Sequence, residues 1–290
     1  MLGEKRRLQM VEEETPPGEM FSYFKSLVVK FPGRRLRAKW QRKQLKSIVQ
    51  FLPVGDVCCI HDYSENYTCQ HQDQLQSLYY GQTQASIHIT VLHRHSMADV
   101  DGEDSTPDSP KIVTEHLFVI SPDLKHDHHS VHHCRTLVAK YLTEIRYPVK
   151  MMHKWTDGCS TQYKSRHCMG DTSHSVADFG FPTIRNYFET SHAKGPQDGP
   201  GADLKFKADM AVIRRQKIIQ NAVDLYEFAQ EQLQVPSEKA SLSRRIFLYV
   251  EEHERERPRR YFKEVRGNRA IHSILADGQS GHLKTRELSC

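Results

Sequence analysis

Apolar positions along the chain fall into two kinds of pattern, and their order predicts the elements. From Phe21 to Phe51 the residues Phe24, Leu27 and Val28, and later Trp40, Leu45, Ile48 and Val49, recur at helical spacing. Pro32-Gly33 interrupts them, so two helices are expected before Pro53. Short runs rich in β-branched residues then take over. Val57–Ile60 closes at His61-Asp62, Ala85–His93 alternates, and His116–Ile120 is a third run; the acidic, turn-rich stretch 99–110 separates the last two. Helical periodicity returns over Ser130–Ile145 through Val131, Cys134, Leu137, Val138, Tyr141, Leu142 and Ile145. A fourth strand is expected over Val149–Thr156, a helix over Tyr163–Phe179 and a fifth strand over Thr183–Glu189. A glycine-rich turn over Gly195–Gly201 and one or two helices over Ala202–Gln232 complete this part.

Three strands, helix, strand, helix, strand, helix is the order of a ribonuclease H-like fold. The expected fold class is therefore α/β, a five-stranded mixed sheet with helices on both faces, preceded by N-terminal helices. Leu242–Val250 and the basic stretch after it read as a small C-terminal extension. The chain divides into a mobile tail over 1–20, a basic helical segment over 21–53, a catalytic core over 54–235 and an accessory segment over 236–290. The abrupt end at Cys290 reads as a truncation.

Charge and cysteine usage narrow the function classes. The 290 residues carry a formal charge of +5, concentrated in the run Lys30–Lys46 and, mixed with acids, between Arg244 and Arg269. Arg34, Arg35, Arg37, Lys39, Arg42 and Lys43 are the expected contacts to nucleic-acid phosphates, with Trp40 among them assigned to the core. The 7 cysteines have no framework spacing, which points to thiols in a reducing, intracellular compartment, nuclear or cytoplasmic. No apolar run reaches the roughly 20 residues of a membrane span, and the N-terminus has no apolar signal core, so no membrane partner is expected. Neither a glycine-rich nucleotide loop nor a serine–histidine–acid arrangement occurs, and no small-molecule cofactor is expected.

Acidic residues at strand ends suggest the chemistry. Two magnesium (or manganese) ions require hard oxygen ligands, and Asp62 after the first strand and Asp157 after the fourth supply them. The third ligand stays open: Asp198 before the following helix is favoured, then Glu189 at the end of the fifth strand, then Asp203. Glu65 is a possible auxiliary ligand. Lys164, His192 and Lys194 are candidate phosphate contacts. Each Asp-Gly pair also reads as an ordinary turn. Zinc at Cys58, Cys59, His61, Cys69 and His71, or within His128–Cys134, lacks paired ligand spacing.

The segments HDYSENY, WTDGCSTQYKSRH and NYFETSHAKGPQDGPGAD resemble those of transposase-like proteins derived from DNA transposons in animal genomes, and the likeness covers roughly residues 20–290. FPGRRLRAKWQRKQLKSIVQFLPVGDV and RRIFLYVEE resemble that group's flanking regions, and similar sequences continue beyond the equivalent of Cys290. The resemblance implies a DDE-type polynucleotidyl transferase ancestry, with Asp62, Asp157 and Asp198 as the matching acids converging on two metal ions. It also implies a DNA partner and a homo-oligomer. Ala193 stands where that group suggests glycine. A catalytically silent DNA- or protein-binding module on the same scaffold, or a truncated transposon relic, is the alternative.

Overall fold

A computed structural model describes residues 12, 14–69, 83–159, 162–189, 195, 198–234, 243–258 and 260–290. The chain opens with α1 (Pro17–Gln50), one helix of 34 residues where two were expected. Pro32 lies inside it. Proline suits helical φ, and the carbonyl it leaves unpaired, that of Val28, lies on an exposed stretch where water can satisfy it. Then follow β1 (Asp56–Tyr63), β2 (Tyr67–Thr68), β3 (Gln84–His95), α2 (Ala98–Asp101), β4 (Ile112–Ser121), α3 (His128–Glu144) and β5 (Met151–Thr156). The expected helix over Tyr163–Phe179 is two short ones, α4 (Arg166–Ser173) and α5 (Ser175–Phe179). After β6 (Thr183–Tyr187), α6 (Asp198–Ile213), α7 (Ala222–Leu233) and β7 (Ser243–Tyr249), the chain closes with β8 (Ser273–Ala276) and β9 (Lys284–Arg286).

These strands form a mixed sheet of nine strands, larger than the five expected, ordered β7-β4-β3-β1-β5-β6-β8-β9 with β2 paired to β3 off that path. β1, β5 and β6 run parallel; β3 is antiparallel to both β1 and β4. The extra strands come mostly from the accessory segment. β7 adds in parallel beyond β4, and the β8–β9 hairpin adds in antiparallel beyond β6, so residues 243–290 are built into both edges of the sheet.

Both sheet faces are covered, which explains the nearly unbroken apolar strands. Cys58, Ile60 and Trp155 pack against Leu45 of α1, Leu204 and Ala208 of α6, and Leu225 and Phe228 of α7. One residue out of phase, Val57, Cys59 and Met152 face Val138 and Leu142 of α3. α3 starts earlier than periodicity indicates because Asp127 caps it, accepting from the His129 and Ser130 amides at 2.9 and 3.2 Å. A buried network pins β7: Arg94 donates to Asp101 and Glu115, each at 2.7 Å, and Arg244 of β7 reaches Asp101 at 2.7 Å.

Candidate functional site

Parallel pairing sets the C-terminal ends of β1 and β5 side by side. Ile60 pairs with Trp155, and two residues further along each chain come Asp62 and Asp157. Neighbouring strands lie about 4.8 Å apart, so the two carboxylates emerge at one end of the sheet centre. Asp62 Oδ1 accepts from the Tyr63 amide at 2.9 Å, and Asp157 Oδ1 accepts from the Cys159 amide at 3.0 Å. The second bond is the local turn that Asp-Gly predicts, and it leaves the other carboxylate oxygen available. Burial pushes the Asp157 carboxyl up, against the opposing pull of the Cys159 amide and the Arg185 charge. The buried Tyr163 phenol is pushed up as well, first by burial and then by Asp62, Tyr63 and Asp157. Its hydroxyl has no hydrogen-bond partner among the described residues.

Asp198 approaches from α6. A cleft of about 260 Å³ is lined by Asp62, Tyr63, Ser64, Glu65, Ile89, Asp198, Ala202 and Lys205. Instead of continuing the expected glycine-rich turn, Asp198 opens the helix and accepts from the Gly195 amide at 2.8 Å. Gly201 makes this approach possible: a Cβ there would lie 2.6 Å from Ile89 Cδ1 and 3.0 Å from Ser64 Oγ. Two helical turns beyond Asp198, Lys205 presents its ammonium in the same cleft, 3.3 Å from the Glu65 carbonyl and 4.0 Å from the Glu65 carboxylate. Sequence reasoning overlooked Lys205 and Tyr163. The i,i+7 spacing from Asp198 is the signal that could have found the lysine. Asp203 faces elsewhere, paired with Lys207 at 3.0 Å and Arg245 at 2.8 Å.

Glu189 occupies a different place. It is buried just past β6 and accepts from Arg37 Nε at 2.6 Å, with His272 Nε2 at 3.1 Å. Burial alone would raise its carboxyl, but Arg37 and His272 outweigh it and hold it below the ordinary range. Its surroundings form a second groove, of about 590 Å³, with Gly33, Leu36, Arg269 and Glu287 on its walls. Asp198 shares a cleft with Asp62; Glu189 does not. Among the described residues no three His, Cys, Asp or Glu side chains gather closely enough to hold a metal ion. The three carboxylates expected to converge are therefore found as Asp62 and Asp157 at neighbouring strand ends, with Asp62 lining the cleft beside Asp198 and Asp157 outside its lining.

The expected phosphate contacts divide. Arg34, Arg35, Lys39, Arg42 and Lys43 are exposed on α1, with Arg35, Lys39 and Arg42 on one helix face. Arg37 is occupied by Glu189. Trp40 lies partly exposed at the surface rather than in the core, its indole donating to the Ser289 carbonyl at 2.7 Å. Lys164 is buried over the Tyr187 ring and bonded to the Arg269 carbonyl at 3.2 Å, and burial pulls its ammonium down to about 8. His192 and Lys194 lie outside the described residues.

The late basic stretch is largely internal fastening. Arg255 holds Asp127 at 2.6 Å, Arg257 holds Asp171 at 2.9 Å and Arg260 holds Asp178 at 2.7 Å, tying the segment after β7 across α3, α4 and α5. The histidine cluster beneath is partly enclosed: His126 stacks on Tyr63 at 4.0 Å and His128 on His167 at 4.4 Å. The Cys58 and Cys59 thiols are buried in β1, where burial pushes Cys59 to about 12. His71, named with them as a zinc candidate, lies outside the described residues. No helix among the described residues is long and apolar enough to cross a membrane.

No curated protein and no solved structure matches the chain. A family profile matches residues 41–289, most of the chain, and by that match the protein belongs to the family described as a domain of unknown function, DUF8701.

Proposed function

We propose that this chain is a ribonuclease H-like, DDE-type polynucleotidyl transferase or its direct descendant, cutting and joining DNA phosphodiesters with two divalent ions, magnesium or manganese. The observation that carries this reading is the pair Asp62 and Asp157 on adjacent parallel strand ends, with Asp198 lining the same cleft as Asp62. The order of the central strands, β4-β3-β1-β5-β6, supports that reading. The donor set is chemically apt, since all three ligands are carboxylates and hard cations take oxygen.

Bound divalent ions would supply an activated oxygen nucleophile at neutral pH and neutralise charge on the leaving oxygen. The protein's own groups do the rest. Asp62 and Asp157 hold hard donors at the ends of neighbouring strands. Lys205 presents a cation where a phosphate oxygen would lie, and Arg35, Lys39, Arg42 and Lys43 offer contacts to the duplex backbone.

A second reading, a catalytically silent DNA-binding module, is favoured by one observation: no three potential metal ligands among the described residues are gathered into a group. Manganese-supported nicking of labelled duplex DNA distinguishes the two. Wild type and Glu189→Gln are expected to nick, while Asp62→Asn and Asp198→Asn lose at least a hundredfold. Activity lost in Glu189→Gln but kept in Asp198→Asn would overturn the assignment of the third acid. An inactive wild type that still binds DNA would favour the silent module.

A further inference from the structure

The long first helix packs its C-terminal half on the body and leaves a stripe of apolar side chains on its N-terminal half uncovered. Ala38, Gln41 and Leu45 are buried, at 7, 0 and 9 % exposure. One heptad before Ala38 comes Phe31, and the stripe continues in phase through Leu27, Phe24 and Met20, spaced four, three and four residues apart. There it stands open: Met20, Phe24, Leu27 and Phe31 are 51 to 62 % exposed. Phe21, Tyr23 and Val28 widen the stripe and are exposed too. Glu19 and Lys30 lie on one flank of the stripe, and the side away from it carries Ser22, Lys25 and Ser26 together with the exposed Val29. Ser22 and Ser26 turn their hydroxyls back onto the Gly18 and Tyr23 carbonyls at 2.9 and 2.7 Å.

We infer that the N-terminal half of α1 is a self-association surface, covered by the same helix of a second copy of this chain. Three observations favour that occupant. The four-three spacing is the one that lets a helix pack along a like helix, and its C-terminal continuation already packs on protein. The exposed area is of the right size: aromatic residues cover roughly 150–250 Å² each when buried. Four of them with Met20, Leu27 and Val28 offer on the order of the 800 Å² per partner of a standard stable interface. The few charges also suit an antiparallel two-fold pair. Stacking Phe24 on the partner's Leu27, and Met20 on the partner's Phe31, sets Glu19 within about half a turn of the partner's Lys30, and the symmetry repeats the contact. A protruding helix interrupted by proline has little stability by itself in water, and such pairing would supply what the body does not. This surface is independent of the acidic cleft.

Sedimentation equilibrium of the full chain tests it, alongside a Phe24→Glu/Leu27→Glu variant whose changes lie on fully described, exposed positions. Wild type at tens of micromolar is expected at twice the 33.7 kDa of the chain. The variant is expected at the single mass, with an unchanged far-ultraviolet spectrum. A monomeric wild type, a dimer that survives in the variant, or open-ended oligomers growing with concentration would each overturn the proposal. A monomer that instead co-sediments with phosphatidylserine vesicles through these residues would reassign the stripe to a membrane surface.

Discussion

Lys154 shows what a single residue can disclose about this interior. It is fully buried on β5, its ammonium over the Phe179 ring at 5.6 Å, near Arg135 and Arg185, which are also fully or almost fully buried. Burial first, and then Arg135, push it well below its ordinary 10.5. Between the folded value and 10.5 the unfolded chain binds the extra proton, so this group makes stability rise with pH and fall as pH drops through that window. Lys154→Met should flatten that slope and raise the melting temperature at neutral pH, measured by paired thermal scans from pH 7 to 10; an unchanged slope would show that Lys154 keeps its charge. The places of Asp62 and Asp157 at neighbouring strand ends were legible for a simple reason: each follows an apolar run at a turn signal. Arg255, Arg257 and Arg260 were not, because charge density along a chain cannot say whether an arginine meets solvent, phosphate or an acid distant in sequence.

At the scale of elements, the central strands could be read because β-branched runs between turn signals leave few alternatives. Ile112–Ser121 and Met151–Thr156 emerge within a few residues of expectation. β8 and β9 escaped notice since Ser-Ile-Leu-Ala and Lys-Thr-Arg are too short to show a period, and the helix through Pro32 contradicted a local rule. β7 depends on charge as well as on backbone pairing. Arg94 sits at 0 % side-chain exposure between Asp101 and Glu115, and Tyr141 donates to Glu115 at 2.6 Å. Removing this cation leaves the two buried carboxylates with Arg244 as their remaining cation, so Arg94→Met should destabilise the fold in denaturant unfolding by less than the about 3–5 kcal/mol of a buried charge left uncompensated. A loss under 1 kcal/mol would mean that water reaches the network.

In the whole molecule, a sheet that presents acids at one end meets a basic helix packed on its face. If Arg34, Arg35, Lys39, Arg42 and Lys43 bind duplex phosphates, neutralising them should weaken binding equally across sequences. It should also flatten the dependence of log affinity on log salt by about 0.9 for each phosphate left without its cation. An unchanged salt slope would return them to a solvated helix face. The most direct test of the central claim concerns metal. Ions that bind only the folded protein raise its melting temperature, by the equivalent of about 2.7 kcal/mol at a hundred times the dissociation constant. Thermal unfolding with and without magnesium or manganese is therefore expected to show a clear upward shift for wild type and none for the variant carrying Asp62→Asn, Asp157→Asn and Asp198→Asn. An equal shift in that triple variant, or none in wild type, would contradict the assignment of these three carboxylates to a metal site.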